Sequence, residues 1–187
     1  ITDNIIRGAL DDAIAVHNNC SNVVISGNDI TTTGGRICIN GTNNGLISGN
    51  TIRYIQDGGT GIWVSFEFEA PKFTLNNKLT ITGNTVIIPK GIKVVSGMRL
   101  FGPGSNITIT GNSFVTEDKQ GIGIEIKDRL HKPGNKKYFG DSIFIRDNRI
   151  TNFKTGISRT ISRQVKPPLI EIGDNTITNA DTLIFSN

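Results

Sequence analysis

The sequence predicts an all-β chain built by repetition, and three observations predict it. First, a short phrase recurs. Residues 22–30 (NVVISGNDI), 44–52 (NGLISGNTI), 78–86 (KLTITGNTV) and 106–114 (NITITGNSF) share a strand-like run, then Gly-Asn, then an apolar residue two places on. With Asp in place of Gly the phrase returns at 142–150 (SIFIRDNRI) and 169–177 (LIEIGDNTI), and a truncated copy, Asp3-Asn4-Ile5-Ile6, opens the chain. Second, apolar residues alternate within each copy, which is the period of a strand, and no window sustains the period of a helix. Third, 30 Ile against 8 Leu, with 20 Thr and only 5 Ala, favours β-branched pleated surfaces over helices.

The repeat dictates the architecture. Its marker asparagines are Asn4, Asn28, Asn50, Asn84, Asn112, Asn148 and Asn175, spaced by 24, 22, 34, 28, 36 and 27 residues. Periods near this length mark stacked units, and one such unit cannot bury its apolar face alone. Gly-Asn is expected to turn the chain, since both residues tolerate left-handed backbone. Strands of successive units lie about 4.8 Å apart, so equivalent asparagines should hydrogen-bond into a ladder, as stacked Asn does in cross-β structures. Their expected role is structural.

A second strand follows each marker. In order these are 13–16 (AIAV), 37–39 (ICI), 62–64 (IWV), 98–100 (MRL), 122–126 (IGIEI), a run from Ile157 onward, and 183–185 (LIF); several follow a glycine, at Gly61, Gly97, Gly121 and Gly156. Two or three short strands per coil, wound in one direction, make a parallel β-helix, and parallel crossovers are strongly right-handed. The expected fold is therefore a right-handed single-stranded parallel β-helix, a solenoid of about seven coils, forming one module over residues 1–187. The chain starts inside a marker turn, and no amphipathic helix covers either end, so the sequence reads as a fragment of a longer multidomain protein. Residues Ile25, Ile47, Ile81, Ile109, Ile145 and Ile172 hold one place before the marker turn and should stack as a core column. The long interval between Asn112 and Asn148 holds 127–141 (KDRLHKPGNKKYFGD), expected to leave the coil as an exposed loop.

Composition bounds the function. A net charge of +4 and a pI near 9.2 make the chain mildly basic, which suits an anionic polymer. No RNA-binding signature or zinc-finger spacing points to nucleic acid, no apolar run is long enough to span a membrane, and no signal peptide is expected within these residues. Cys20 and Cys38 form no disulfide framework and are expected as free thiols. No cofactor and no metal site are expected. A calcium-dependent lyase would need a dense carboxylate cluster, which the sequence lacks.

If the second-strand isoleucines point inward, their neighbours form an outward column: Ala15 and His17, Cys38, Trp63 with Ser65 and Glu67, Arg99, and Glu125 with Lys127. An aromatic ring with carboxylates and cations suits a sugar, held by a platform and a few orienting polar groups; an ordinary solvated face is the alternative. Asp11-Asp12 stands at the mouth of this column. Neighbouring carboxylates can divide into proton donor and acceptor, as in glycosidases, or can simply form a polar turn.

The run Asp11-Asp12-Ala13-Ile14-Ala15-Val16, followed by Ser21-Asn22-Val23-Val24-Ile25-Ser26-Gly27-Asn28, resembles the polygalacturonase family, within the right-handed parallel β-helix (pectin lyase-like) superfamily. The resemblance spans roughly residues 11–50. It implies a parallel β-helix that hydrolyses a polysaccharide with inversion, Asp11 and Asp12 being catalytic. Gly35 stands where the family has the His of Gly-His-Gly, and Trp63-Val64-Ser65 stands where it has Arg-Ile-Lys. The strand-Gly-Asn units are also similar to the β-helix repeats of bacterial surface enzymes and of phage tail spikes and appendages. The expectation is a module that binds an extracellular or cell-surface glycopolymer, on a virion or outside the cell, with hydrolytic cleavage left open as a further step. Asp11 and Asp12 are the catalytic candidates; His17, Arg36, Trp63, Glu67, Arg99 and Glu125 are the substrate-binding ones. Partners are the anionic glycopolymer and either two further copies in a homotrimer or neighbouring domains. The rival expectation is a non-enzymatic receptor-binding or structural shaft of a viral or surface fibre.

Overall fold

The computed structural model describes residues 1–17, 19–65, 76–102, 104–127, 142–160 and 169–186. In chain order the strands are β1 (Ile5–Ala9), β2 (Asp12–Val16), β3 (Cys20–Ser26), β4 (Asp29–Thr32), β5 (Arg36–Asn40), β6 (Thr42–Ser48), β7 (Thr51–Tyr54), β8 (Thr60–Ser65), β9 (Asn76–Thr82), β10 (Thr85–Ile88), β11 (Ser96–Phe101), β12 (Gly104–Thr110), β13 (Ser113–Lys127), β14 (Ile143–Arg146), β15 (Arg149–Thr160), β16 (Ile170–Gly173), β17 (Thr176–Thr178) and β18 (Thr182–Ser186). Among the described residues no helix is long and apolar enough to cross a membrane.

Every strand pairing in this set is parallel, and each strand pairs with its counterpart one repeat away. One sheet is β3-β6-β9-β12-β14-β16. The other has two runs, β1-β4-β7-β10 and β2-β5-β8-β11, joined because the long strands β13 and β15 turn the corner and pair in both. All three runs contribute to one apolar core: Ile25, Ile47 and Ile81 from the first sheet, Ile30, Ile52 and Val86 from one run of the second, Ile37, Ile62 and Met98 from the other. The chain is thus all-β with long parallel sheets, an arrangement compatible with a parallel β-helix.

The expected isoleucine column is present. Ile25, Ile47, Ile81, Ile109, Ile145 and Ile172 are consecutive register partners. The first five are fully buried, while Ile172 is half-buried on the last strand of its sheet. The asparagine ladder is also present. Asn4, Asn28, Asn50, Asn84, Asn112 and Asn148 each donate through Nδ2 to Oδ1 of the next marker, at 2.8–2.9 Å.

Two local expectations change. The left-handed residue of the marker turn is the one before the asparagine: Asp3, Gly27, Gly49, Gly83, Gly111, Asp147 and Asp174 all have positive φ, and the marker asparagines do not. This explains why Gly and Asp interchange there, since both tolerate that region. The glycine column runs through Gly61, Gly97, Gly123 and Gly156, with Gly123 in place of Gly121. A Cβ on Gly61 would lie 2.6 Å from the Gly97 carbonyl oxygen, and one on Gly123 2.6 Å from that of Gly156. Successive backbones pass too closely there for any side chain. The predicted loop at 127–141 lies outside the described residues beyond Lys127, which is exposed at the end of β13.

Candidate functional site

The outward face of β2, β5, β8, β11 and β13 is where the sequence-predicted residues meet. Register aligns Ala15, Cys38, Trp63, Arg99 and Glu125 as consecutive partners across these strands. Strand alternation puts Ile14, Ile37, Ile62, Met98 and Ile124 on the buried side of the same strands.

At the head of the column the register slips. Asp12 pairs with Arg36, but Ile14 pairs with Ile37, so two steps of β2 oppose one of β5. This is a β-bulge, a device that re-aims side chains. Strict alternation back from His17 and Ala15 would turn Asp12 inward; the bulge turns it toward Arg36. Its Oδ1 lies 2.7 Å from Arg36 Nε, and Asp11 Oδ1 lies 3.4 Å from Arg36 Nη2. The Asp12 contact is ionic, without hydrogen-bond alignment. One guanidinium therefore serves both carboxylates of the Asp-Asp pair. Asp11 is 85% exposed and Asp12 only 16%.

The column continues as a stack. The Arg36 guanidinium lies over the Trp63 ring at 4.6 Å and the Arg99 guanidinium at 5.2 Å. They come from β5 and β11, the strands flanking β8, so the indole sits between two cations. Phe101, two residues beyond Arg99, meets Trp63 edge to face with centroids 5.8 Å apart. Arg99 in turn holds Glu125, with Nε 2.6 Å and Nη2 2.5 Å from Oε2.

Two residues expected to face solvent are covered. Cys38 is 2% exposed and Glu125 is 7% exposed. Glu125 is bound by Arg99, and Cys38 is crowded by Asp12 and Arg36. Burial, reinforced by the Asp12 charge and opposed by Arg36, pushes the Cys38 thiol up to about 12. Ser65 is also buried, whereas His17 is exposed, with Nδ1 3.1 Å from Asn40 Nδ2 and Nε2 3.9 Å from Asp12 Oδ2. Glu67 lies outside the described residues. Both cysteines are free thiols.

Sequence reasoning missed Phe101 and Asn40. Phe101 was within reach, because extending the outward alternation from Arg99 by two leads to it. A concavity of about 270 Å³ lies elsewhere, on the outer side of the first sheet against Val24, Leu46, Lys78 and Thr80. Its lining holds one titratable side chain, Lys78, so it offers little chemistry.

This face presents the indole and phenyl rings of Trp63 and Phe101 and the exposed carboxylate of Asp11, while Arg36 and Arg99 are already paired with Asp11, Asp12 and Glu125. A stacked sugar would have to displace a guanidinium from the Trp63 face. Comparison of the chain with protein-family models, with curated proteins and with solved structures finds no match.

Proposed function

We propose that the chain is a right-handed single-stranded parallel β-helix module that binds an extracellular or cell-surface glycopolymer through the outward face of β2, β5, β8 and β11. One observation carries this reading: register brings Asp12, Arg36, Trp63, Phe101 and Arg99 into one continuous patch of aromatic and charged groups. Such a mixture suits an anionic polysaccharide whose acid groups compete with Asp11, Asp12 and Glu125 for the arginines while ring faces or edges meet Trp63 and Phe101. In this reading the module works outside the cell or on a virion surface, as a homotrimer or against neighbouring domains. Cleavage would use Asp11 and Asp12 as acid and base.

A second reading has an observation in its favour. The carboxylates and the indole already satisfy one another through Arg36 and Arg99, as in a shaft whose surface is braced rather than reactive. Retention on immobilised polygalacturonate and on teichoic acid separates the two. Binding that weakens at least about tenfold in Trp63→Ala and Arg99→Ala supports recognition, since central anchors dominate such interfaces. Polymer shortening lost in Asp11→Asn/Asp12→Asn, with binding kept, adds hydrolysis. Retention that is absent, or equal in every variant, leaves the shaft.

A further inference from the structure

The bulge that turns Asp12 outward also builds a second constellation, beside Arg36, which touches both Asp12 and Cys38. Asp12, His17 and Cys38 each bring one donor atom, and the three lie within 4.8 Å of one another. Their placement follows from the pairing of two adjacent strands. Ala15 is the register partner of Cys38, and its single methyl leaves room above the sulfur. Asp12 and His17 lie before and after Ala15 along the chain, and Asp12 and Arg36 crowd the sulfur, so Cys38 is buried although its place in the alternation is outward.

We propose that Asp12 Oδ2, His17 Nε2 and Cys38 Sγ form a three-ligand site for a borderline-soft divalent ion, zinc above all, with a fourth position left for water or an exogenous ligand. The donor set decides the metal. One sulfur, one imidazole nitrogen and one carboxylate oxygen suit Zn²⁺ or Co²⁺, whereas Mg²⁺ and Ca²⁺ require oxygen shells. Three protein ligands plus an open position is the pattern of reactive rather than purely structural zinc.

The surroundings supply what such a site needs. Ligating imidazoles are oriented by a partner on the other ring nitrogen. Here Asn40 holds that position, 3.1 Å from His17 Nδ1. Asn40 Oδ1 is buried without a hydrogen-bond partner. Turning the amide over lets Oδ1 accept from Nδ1–H and leaves the Nε2 lone pair facing Asp12 and Cys38; the two amide orientations have the same shape. The second carboxylate oxygen of Asp12 is engaged by Arg36 Nε at 2.7 Å, and Asp11 meets Nη2 of the same guanidinium at 3.4 Å. On binding, the Cys38 S–H proton leaves to solvent and the thiolate sulfur takes the metal; Asp12 and His17 donate lone pairs, and nothing is oxidised or reduced.

The test uses untagged full-length chain, freed of metal by chelation and titrated with Zn²⁺ against a competing dye and with Co²⁺ by absorption. The expected result is one equivalent bound, with a sulfur-to-cobalt charge-transfer band that disappears in Cys38→Ser. His17→Gln, on an exposed side chain, should weaken Zn²⁺ at least about tenfold. Asn40→Ala should weaken it within the range of about 10–100-fold usual for an orienting partner. Absence of the charge-transfer band at one equivalent, or affinities unchanged in both Cys38→Ser and His17→Gln, overturns the site. Neither outcome bears on glycan binding, which polymer retention reads separately.

Discussion

The marker asparagines from Asn28 to Asn175 occupy positions where the amide has no spare valence. Asn84 Oδ1 accepts from the backbone N–H and the Nδ2 of Asn50, at 3.1 and 2.9 Å, while its own Nδ2 donates to the Ile47 and Thr82 carbonyls and to Asn112 Oδ1. The group is fully buried, so removing it strands donors on Asn50 that water cannot reach. Asn84→Ala should cost roughly 2–4 kcal/mol in a denaturant titration, because each unsatisfied buried group costs about 1–3 kcal/mol. Asn4→Ala, at the exposed end of the ladder, should cost less than about 1 kcal/mol by the same argument. Tyr54 is the opposite case. Its ring is wholly buried and its hydroxyl has no hydrogen-bond partner. Burial raises its pKa above the ordinary 10.0, with Arg36 opposing. Tyr54→Phe should therefore be neutral or stabilise by up to about 1 kcal/mol. The pH dependence follows the same sign. A raised folded-state pKa gives stability that is fully present below the unfolded value and lost as pH climbs through the folded one. Urea midpoints of the wild type should fall from about pH 9, where an unfolded thiol such as Cys38 begins to ionise, through the higher range of Tyr54. The fall should be shallower in Tyr54→Phe.

At the scale of the strand, a second corner repeats as faithfully as the marker turn. Asn22, Asn44, Lys78 and Asn106 all have left-handed backbone, with φ of 56°, 59°, 53° and 53°. Asn44 Nδ2 bonds Asn22 Oδ1 at 2.7 Å on the outer surface. Lys78 holds the same conformation without the short polar side chain that eases it. Left-handed backbone costs an ordinary residue about 1–2 kcal/mol and Asn less, so Lys78→Asn should stabilise by roughly 0.5–1 kcal/mol in chemical denaturation. Within the isoleucine column, Ile109→Ala should cost about 2–5 kcal/mol, because the rigid ladders on either side cannot collapse into the cavity; a loss below half a kcal/mol on the same titration would place Ile109 outside the core. Ion pairs divide by burial. Glu125, nearly buried under Arg99, should be worth far more than Glu171, whose pair with Arg146 is about half exposed on both sides. Glu125→Ala should destabilise by about 2–4 kcal/mol and Glu171→Ala by under about 1 kcal/mol.

Across the whole chain, contacts run from each repeat to its two neighbours, so stability should be distributed along one dimension. The middle repeats are covered on both sides: Ile52, Ile62, Ile81 and Val86 are wholly buried. The outer ones are not, with Ile5 74% exposed at one end and Leu183 57% exposed at the other. Native-state hydrogen exchange should find the slowest amides in β8 to β12 and the fastest in β1, β17 and β18, with protection falling stepwise between them. Uniform protection along the chain would mean that the repeats unfold as one unit rather than fraying from their edges.

Sequence alone determined the repeat, the strand periodicity, the inward isoleucines and the asparagine ladder. These are properties of spacing: a period-two pattern places side chains on faces, and a coil-length period places equal residues next to each other. It also brought Arg36, Trp63, Arg99 and Glu125 to one face, because outward residues at matching positions must stack. Tertiary structure decided what those residues do to one another. Only cross-strand register puts two guanidiniums against one indole, which makes Trp63 a braced ring. Only the extra residue in β2 turns Asp12 toward Arg36 and groups it with His17 and Cys38, since a bulge is a mismatch between two strands and is written in neither of them separately. Burial of Cys38 and Glu125 beneath their neighbours is likewise a matter of side chains meeting across about 4.8 Å between strands, a distance over which a one-dimensional pattern carries no orientation.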